Sequence, residues 1–243
     1  MKYILLISFY LFTIDTNSQI INNNGKVHYT VTFSPTKIKG YLTNQRKALK
    51  NKKTMKIFDD GYLNSKNVEA ILKFNKNESF FKYKEQLRNG SKHQKDLLSV
   101  IIGVEEKFYS NLSTKESLTL NCHLLGECFL ISSPFNTWKL TQETKVIGKY
   151  ICYKAEYVNK TGGAKRKITA WYTPEIAVNF GPGGYNGLPG LILQLDDETI
   201  LFSASQIQFN SKEKITIERP KKGKKVSEIE FNKIIKEAFE KIK

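Results

Sequence analysis

The stretch Trp171-Tyr-Thr-Pro-Glu-Ile-Ala-Val-Asn-Phe-Gly-Pro-Gly-Gly-Tyr-Asn-Gly-Leu-Pro-Gly-Leu-Ile-Leu-Gln-Leu195 decides how this chain folds. It predicts one strand ending at Pro174 and another leaving at Leu191. Between them Gly181, Gly183, Gly184, Gly187 and Gly190 alternate with Pro182 and Pro189. Glycine lets backbones approach closely, while proline fixes φ and removes a donor. A loop made of both is built to hold one shape. No lysine or arginine occurs from Ile168 to Ser211, although the chain is formally +16. The loop has neither the Gly-Lys-Ser/Thr ending nor the following helix of a phosphate cradle, which excludes that class.

The flanking sequence reads as a meander. Trp138, Leu140, Gln142, Thr144 and Val146 alternate with polar residues. Ile151, Tyr153, Ala155 and Tyr157 form one face of the next strand, opposite Cys152, Lys154 and Glu156. A hairpin loop over 159–164 leads to Ile168, Ala170 and Tyr172. Beyond the glycine loop, Leu191–Leu195 and Ile200–Phe209 pair through Asp196-Asp197-Glu198, and Lys214–Glu218 adds a short strand. Upstream, Gly25–Phe33 alternates with period two, and Ala70–Phe74 and Ser79–Tyr83 form a hairpin around Asn75-Lys-Asn77. Short strands joined by short turns predict a mainly β, α+β fold: an antiparallel sheet or open half-barrel. At the C-terminus a basic linker, 219–225, precedes a helix over 228–242. Ser227 and Glu230 can form its capping box, with Val226 and Phe231 as a hydrophobic staple.

Gly187-Leu-Pro-Gly-Leu-Ile192 resembles the signature of the GLPGLI family of secreted proteins from Gram-negative bacteria. Trp138-Lys-Leu with Thr144-Lys, Gly148-Lys-Tyr-Ile-Cys-Tyr-Lys-Ala155 and Ala170-Trp-Tyr-Thr-Pro-Glu-Ile176 are similar to that family in the same order. Lys107-Phe-Tyr-Ser-Asn111 resembles a further patch of it. The resemblance implies one β-rich domain over 19–243 in a secreted or periplasmic protein, and no particular reaction. The meander also resembles the half-barrel of bacterial outer-membrane lipoprotein carriers. That likeness implies a groove for an acyl chain or apolar peptide, and a shared fold does not fix function.

The N-terminus reads as a signal peptide, 1–18. Lys2 precedes an apolar run from Tyr3 to Ile14, too short to span a bilayer, and Thr16 and Ser18 suit a cleavage site. No later stretch is long enough to cross a membrane. Export makes a nucleic-acid partner improbable, despite the basic run 36–56 and the linker. The partner expected is a lipid or an envelope protein; the basic block 36–56 could bind phosphates or anionic lipid heads, or be a solvated loop or short helix on a basic protein.

Cys122, Cys128 and Cys152 allow three disulfide pairings, and a bond from Cys152 to Cys122 or Cys128 would tie neighbouring strands. Cys122 and His123 lack the spacing of a zinc site, and no cofactor is expected. His28 sits on the polar face of its strand. Asp196, Asp197 and Glu198 read either as turn formers or as a carboxylate cluster. Cys152 is imaginable as a thiol nucleophile. The expectation is therefore a non-catalytic binding or assembly module with no catalytic residue, and the alternative is a hydrolase acting on an envelope substrate. Trp171, Tyr172, Pro174, Gly187, Leu188, Pro189, Gly190, Leu191 and Ile192 would line or gate its site, or shape a core corner.

Overall fold

Twelve strands join in one open sheet in the computed structural model, which describes residues 24–84, 96–159, 165–209 and 215–240. The expected signal peptide, the Arg88–Lys95 loop and the tip of the 159–164 hairpin fall largely or wholly outside those residues. In chain order the strands are β1 (Gly25–Phe33), β2 (Val68–Phe74), β3 (Glu78–Tyr83), β4 (Lys107–Asn111), β5 (Glu116–Asn121) and β6 (Phe129–Ser132). They continue as β7 (Lys139–Ile147), β8 (Tyr150–Asn159), β9 (Arg166–Thr173), β10 (Leu191–Asp196), β11 (Ile200–Phe209) and β12 (Lys224–Ser227). The order across the sheet is β12-β6-β5-β4-β3-β2-β1-β11-β10-β9-β8-β7. All neighbours are antiparallel except β12, which runs parallel to β6.

Period-two patterning explains the central strands. β1 buries Val27, Tyr29, Val31 and Phe33, and its register brings Tyr29 beside Ala70 and Val27 beside Leu72. Phe81 in β3 stands opposite Leu72 and Phe108, and its ring meets those of Tyr29, Phe108 and Phe202 within 6.2 Å. Each of these central strands contributes one apolar face to this inner layer, which burial from water stabilises.

Helices cover one end of that layer. They are α1 (Pro35–Gly40), a π turn (Tyr41–Gln45), α2 (Arg46–Ala48), α3 (Lys52–Leu63) and α4 (Leu97–Ile101). Ser34 caps α1 by accepting from Thr36 N–H, and Asn51 caps α3 by accepting from Lys53 and Thr54 N–H. Tyr62 packs its ring against those of both Tyr41 and Phe33, and Tyr41 is buried.

The helix α5 (Glu228–Glu240) begins as its sequence predicts. Ser227 Oγ accepts from Glu230 N–H, and Glu230 Oε2 accepts from Ser227 N–H at 2.7 Å. Phe231, Ile234 and Ile235 pack on Phe129 and Ile131 of β6.

Three local expectations are corrected. Residues 215–218 form no strand; Ile217 instead packs on Tyr109, Leu118 and Leu130 across β4–β6, and Arg219 pairs with Glu116. Lys224 and Lys225 of the expected linker are strand residues, because β6 still offers an unpaired edge to them. The disulfide joins Cys122 to Cys128, and Cys152 is a free buried thiol. β8 pairs only with β7 and β9, so no strand pairing brings Cys152 beside Cys122 or Cys128.

Candidate functional site

β6 and β7 are consecutive in the chain yet lie at opposite ends of the sheet. Residues 133–138 make that connection in too few residues to run across a flat sheet, so the sheet curls and brings its two ends within reach of this crossing. The loop between β9 and β10, here the plug, comes to meet this crossing.

The loop first folds on itself. Val178 N–H donates to Ile176 carbonyl, Gly187 N–H to Asn179 carbonyl, and Phe180 bridges Asn186. It then docks on its own strand, with Leu191 N–H donating to Ile176 carbonyl and Ile192 N–H to Phe180 carbonyl. Its apolar side chains Ile176, Val178, Phe180 and Leu188 are all buried.

Two glycines allow the close packing. Gly184 has φ +78°, and a Cβ there would lie 2.9 Å from the Phe108 ring. Gly190 lies flat against β9, where a Cβ would fall 2.6 Å from the Thr173 carbonyl carbon and 2.8 Å from Pro174 nitrogen. Any larger residue there collides with backbone, which cannot rotate away.

Asn186 is the polar centre of the plug and is 1% exposed. Its amide nitrogen donates to Ser110 Oγ, Ser117 Oγ and the Gly184 carbonyl at 3.1–3.4 Å. Its N–H donates to Asn136 Oδ1, and its Oδ1 accepts from Asn136 N–H. Trp138 Nε1–H closes the group by donating to Asn186 carbonyl at 2.7 Å. One buried amide thus holds β4, β5, the crossing segment and the plug together, as a fully partnered buried polar group can.

The residues singled out from the sequence divide between surfaces. Alternation puts Trp171 and Tyr172 on opposite faces of β9. Tyr172 stacks near Tyr153, while Trp171 lies under the Lys145 ammonium, 4.2 Å from its ring centroid. Leu188, Leu191 and Ile192 are core residues, and Ile192 carbonyl accepts from the buried Tyr29 hydroxyl at 2.6 Å. Pro174, Gly187 and Pro189 are exposed. Asn136, Trp138 and Asn186 were not singled out as a group, because nothing in a single sequence marks contacts made across 50 residues.

The ionisable groups near this layer have structural occupations. Asp196 accepts from Glu198 N–H and Ser34 Oγ, and Asp197 accepts from Thr199 and Ile200 N–H. Glu198, at φ +67°, accepts from Lys167 N–H. All three acids thus form the turn. Burial pushes the Cys152 thiol up to about 11, which leaves it protonated and weakly nucleophilic at neutral pH. Burial likewise pushes the Glu106 carboxyl up to about 7, opposed by a hydrogen bond from Asn121 Nδ2 at 2.7 Å. Among the described residues no group of three or more His, Cys, Asp or Glu side chains is placed to hold a metal. Two adjoining shallow clefts, of about 480 and 470 Å³, lie beside the Glu116–Arg219 pair, and none of the loop residues lines them.

Comparison with known proteins gives a local match and a distant fold match. Residues 159–194 match the model of a family described as "Protein of unknown function (Porph_ging)". That segment contains β9, the plug and the start of β10. No curated protein matches the chain. Two crystal forms of PNGF-II are similar in fold, each at 14% identity. In the C2 form the TM-score is 0.50, over 88% of this chain and 33% of that one. In the P21 form it is 0.49, over 89% and 34%. The chain thus spans about a third of the length of these solved structures.

Proposed function

We propose that this protein is a non-catalytic assembly module of the bacterial cell envelope, exported to the periplasm or beyond, that binds a protein partner at its surface. The observation that carries the reading is the plug. An apolar ligand held inside the sheet would need an open inner face, and that face carries Phe180, Leu188 and the Asn186 group instead. The turn bonds that occupy Asp196, Asp197 and Glu198 and the protonated Cys152 thiol also favour a binding role over the hydrolase alternative.

The edge strand β7 is the surface best suited to a partner. Its outer side is unpaired among the described residues. Leu140, Val146 and the adjoining Ile151 are each more than half exposed. An unpaired edge with apolar side chains is a template for strand addition by another chain. Photo-crosslinking in cells tests this. A crosslinking residue at Val146 is expected to give a discrete protein adduct absent at Lys76, an exposed turn position. Equal labelling at both positions would refute the reading.

A further inference from the structure

A second surface has different chemistry, and it does not depend on the β7 edge. The helical cover formed by α1–α3 carries every basic residue from Lys37 to Lys56, with no acid among residues 36–56. Only part of that charge is used within the fold. Arg46 is paired with Asp59, which also accepts from the Tyr41 hydroxyl, and Lys37 lies over the Tyr62 ring. Asp60 accepts from Asn64. Lys39, Lys47, Lys50, Lys52, Lys53 and Lys56 are exposed and have no acidic partner among the described residues.

The same surface leaves apolar side chains in water. Ile57 is 59% exposed, next in sequence to Lys56 and one helical turn from Lys53. Phe58 and Leu63 on the same helix, and Leu42 on the preceding π turn, are also exposed. Gly61 brings α4 close to α3 through Leu97, and α4 adds exposed Val100 and Ile101. Single exposed apolar residues are ordinary, but Ile57, the most exposed of them on α3, set beside the unpaired Lys53 and Lys56, has the composition of an interfacial element.

From charge complementarity and this exposed apolar content we infer that α1–α3 dock the protein on an anionic phospholipid surface. The lysines sit at the headgroups and Ile57 enters the acyl boundary. A soluble polyanion would use the lysines and gain nothing from the apolar side chains, so the two partners are separable.

The test is co-sedimentation of the full protein with vesicles of phosphatidylglycerol and phosphatidylethanolamine, against vesicles of phosphatidylcholine alone. Binding to the anionic vesicles only, weakening with salt, is the expected result. The triple variant Lys52→Gln, Lys53→Gln, Lys56→Gln is expected to lose roughly tenfold or more in partitioning. Ile57→Ser is expected to weaken vesicle binding while leaving heparin binding unchanged. These side chains are exposed, so unchanged circular dichroism is expected for both variants. Absence of binding to anionic vesicles overturns the inference. So does binding that ignores the triple substitution. Vesicle binding that survives Ile57→Ser while heparin competes it away would mark a polyanion site and equally overturn it.

Discussion

The plug and the helical cover pack against the same apolar layer and solve opposite problems. From Ile168 to Ser211 the chain has no cation, and its loop is fixed by close backbone approach and one buried amide. From Thr36 to Lys56 it has no anion, and its helices touch the core through a few rings such as Tyr41 and Tyr62. In the first region geometry leaves almost no freedom to the sequence. In the second the sequence leaves charge and apolar surface unspent by the fold. Such unspent chemistry is where a partner is to be sought; the tightly specified loop is where stability resides.

If that contrast holds, substitutions in the plug should cost far more than substitutions on the cover. The largest effect belongs to Gly190→Val. Its side chain would overlap the Thr173 carbonyl and Pro174, so a loss of roughly 3 kcal/mol, or failure to fold, is expected in denaturant melts. A variant as stable as the parent would break the account of the plug. Next comes Asn186→Ala, which strands Ser110 Oγ, Ser117 Oγ and the Asn136 N–H. A loss of about 2 kcal/mol is expected.

Glu106 sharpens the picture through pH. Burial holds its carboxyl at about 7 against an ordinary 4.5. The folded state therefore keeps a proton that the unfolded state releases, and stability falls as pH rises through that window. Below it both states are protonated and the cost vanishes. Glu106→Gln should be more stable than the parent near pH 8 by on the order of 1 to 2 kcal/mol, and equal to it near pH 4. Equal stability at both pH values would show that the carboxyl is not held neutral. A smaller loss, about 1 kcal/mol, is expected for Ser227→Ala at the cap of α5. The smallest effect belongs to the cover: replacing Lys52, Lys53 and Lys56 by glutamine should change stability by less than about 0.5 kcal/mol each.

Much of the sheet was legible because each strand writes its two faces at period two. β1 runs from Gly25 to Phe33 as its alternation implies, and the Asn75 turn and the capping box of α5 are local patterns with local causes. The mainly β fold and its open sheet follow from such patterns. What could not be read depends on distance. The parallel pairing of β12 with β6 joins residues separated by almost a hundred positions, and the disulfide choice depends on where β8 falls in the sheet order. Ile215–Glu218 carries strand-like alternation but finds no ladder, so it packs as a strap. The glycine–proline loop announced its rigidity in its composition. It did not announce Asn186, whose partners come from the β4–β5 hairpin, at Ser110 and Ser117, and from Asn136 of the crossing segment.

The plug is a packed part of the core that fills the inner face of the sheet. Hydrogen–deuterium exchange of the native protein measures this directly. The amides of Gly187, Gly190, Leu191 and Ile192 all donate to backbone carbonyls within the plug. They are expected to exchange as slowly as those of β9 and β10, and to open only with global unfolding. Fast exchange through 176–190, with β9 and β10 still protected, would show a loop that leaves the face open and would contradict the account.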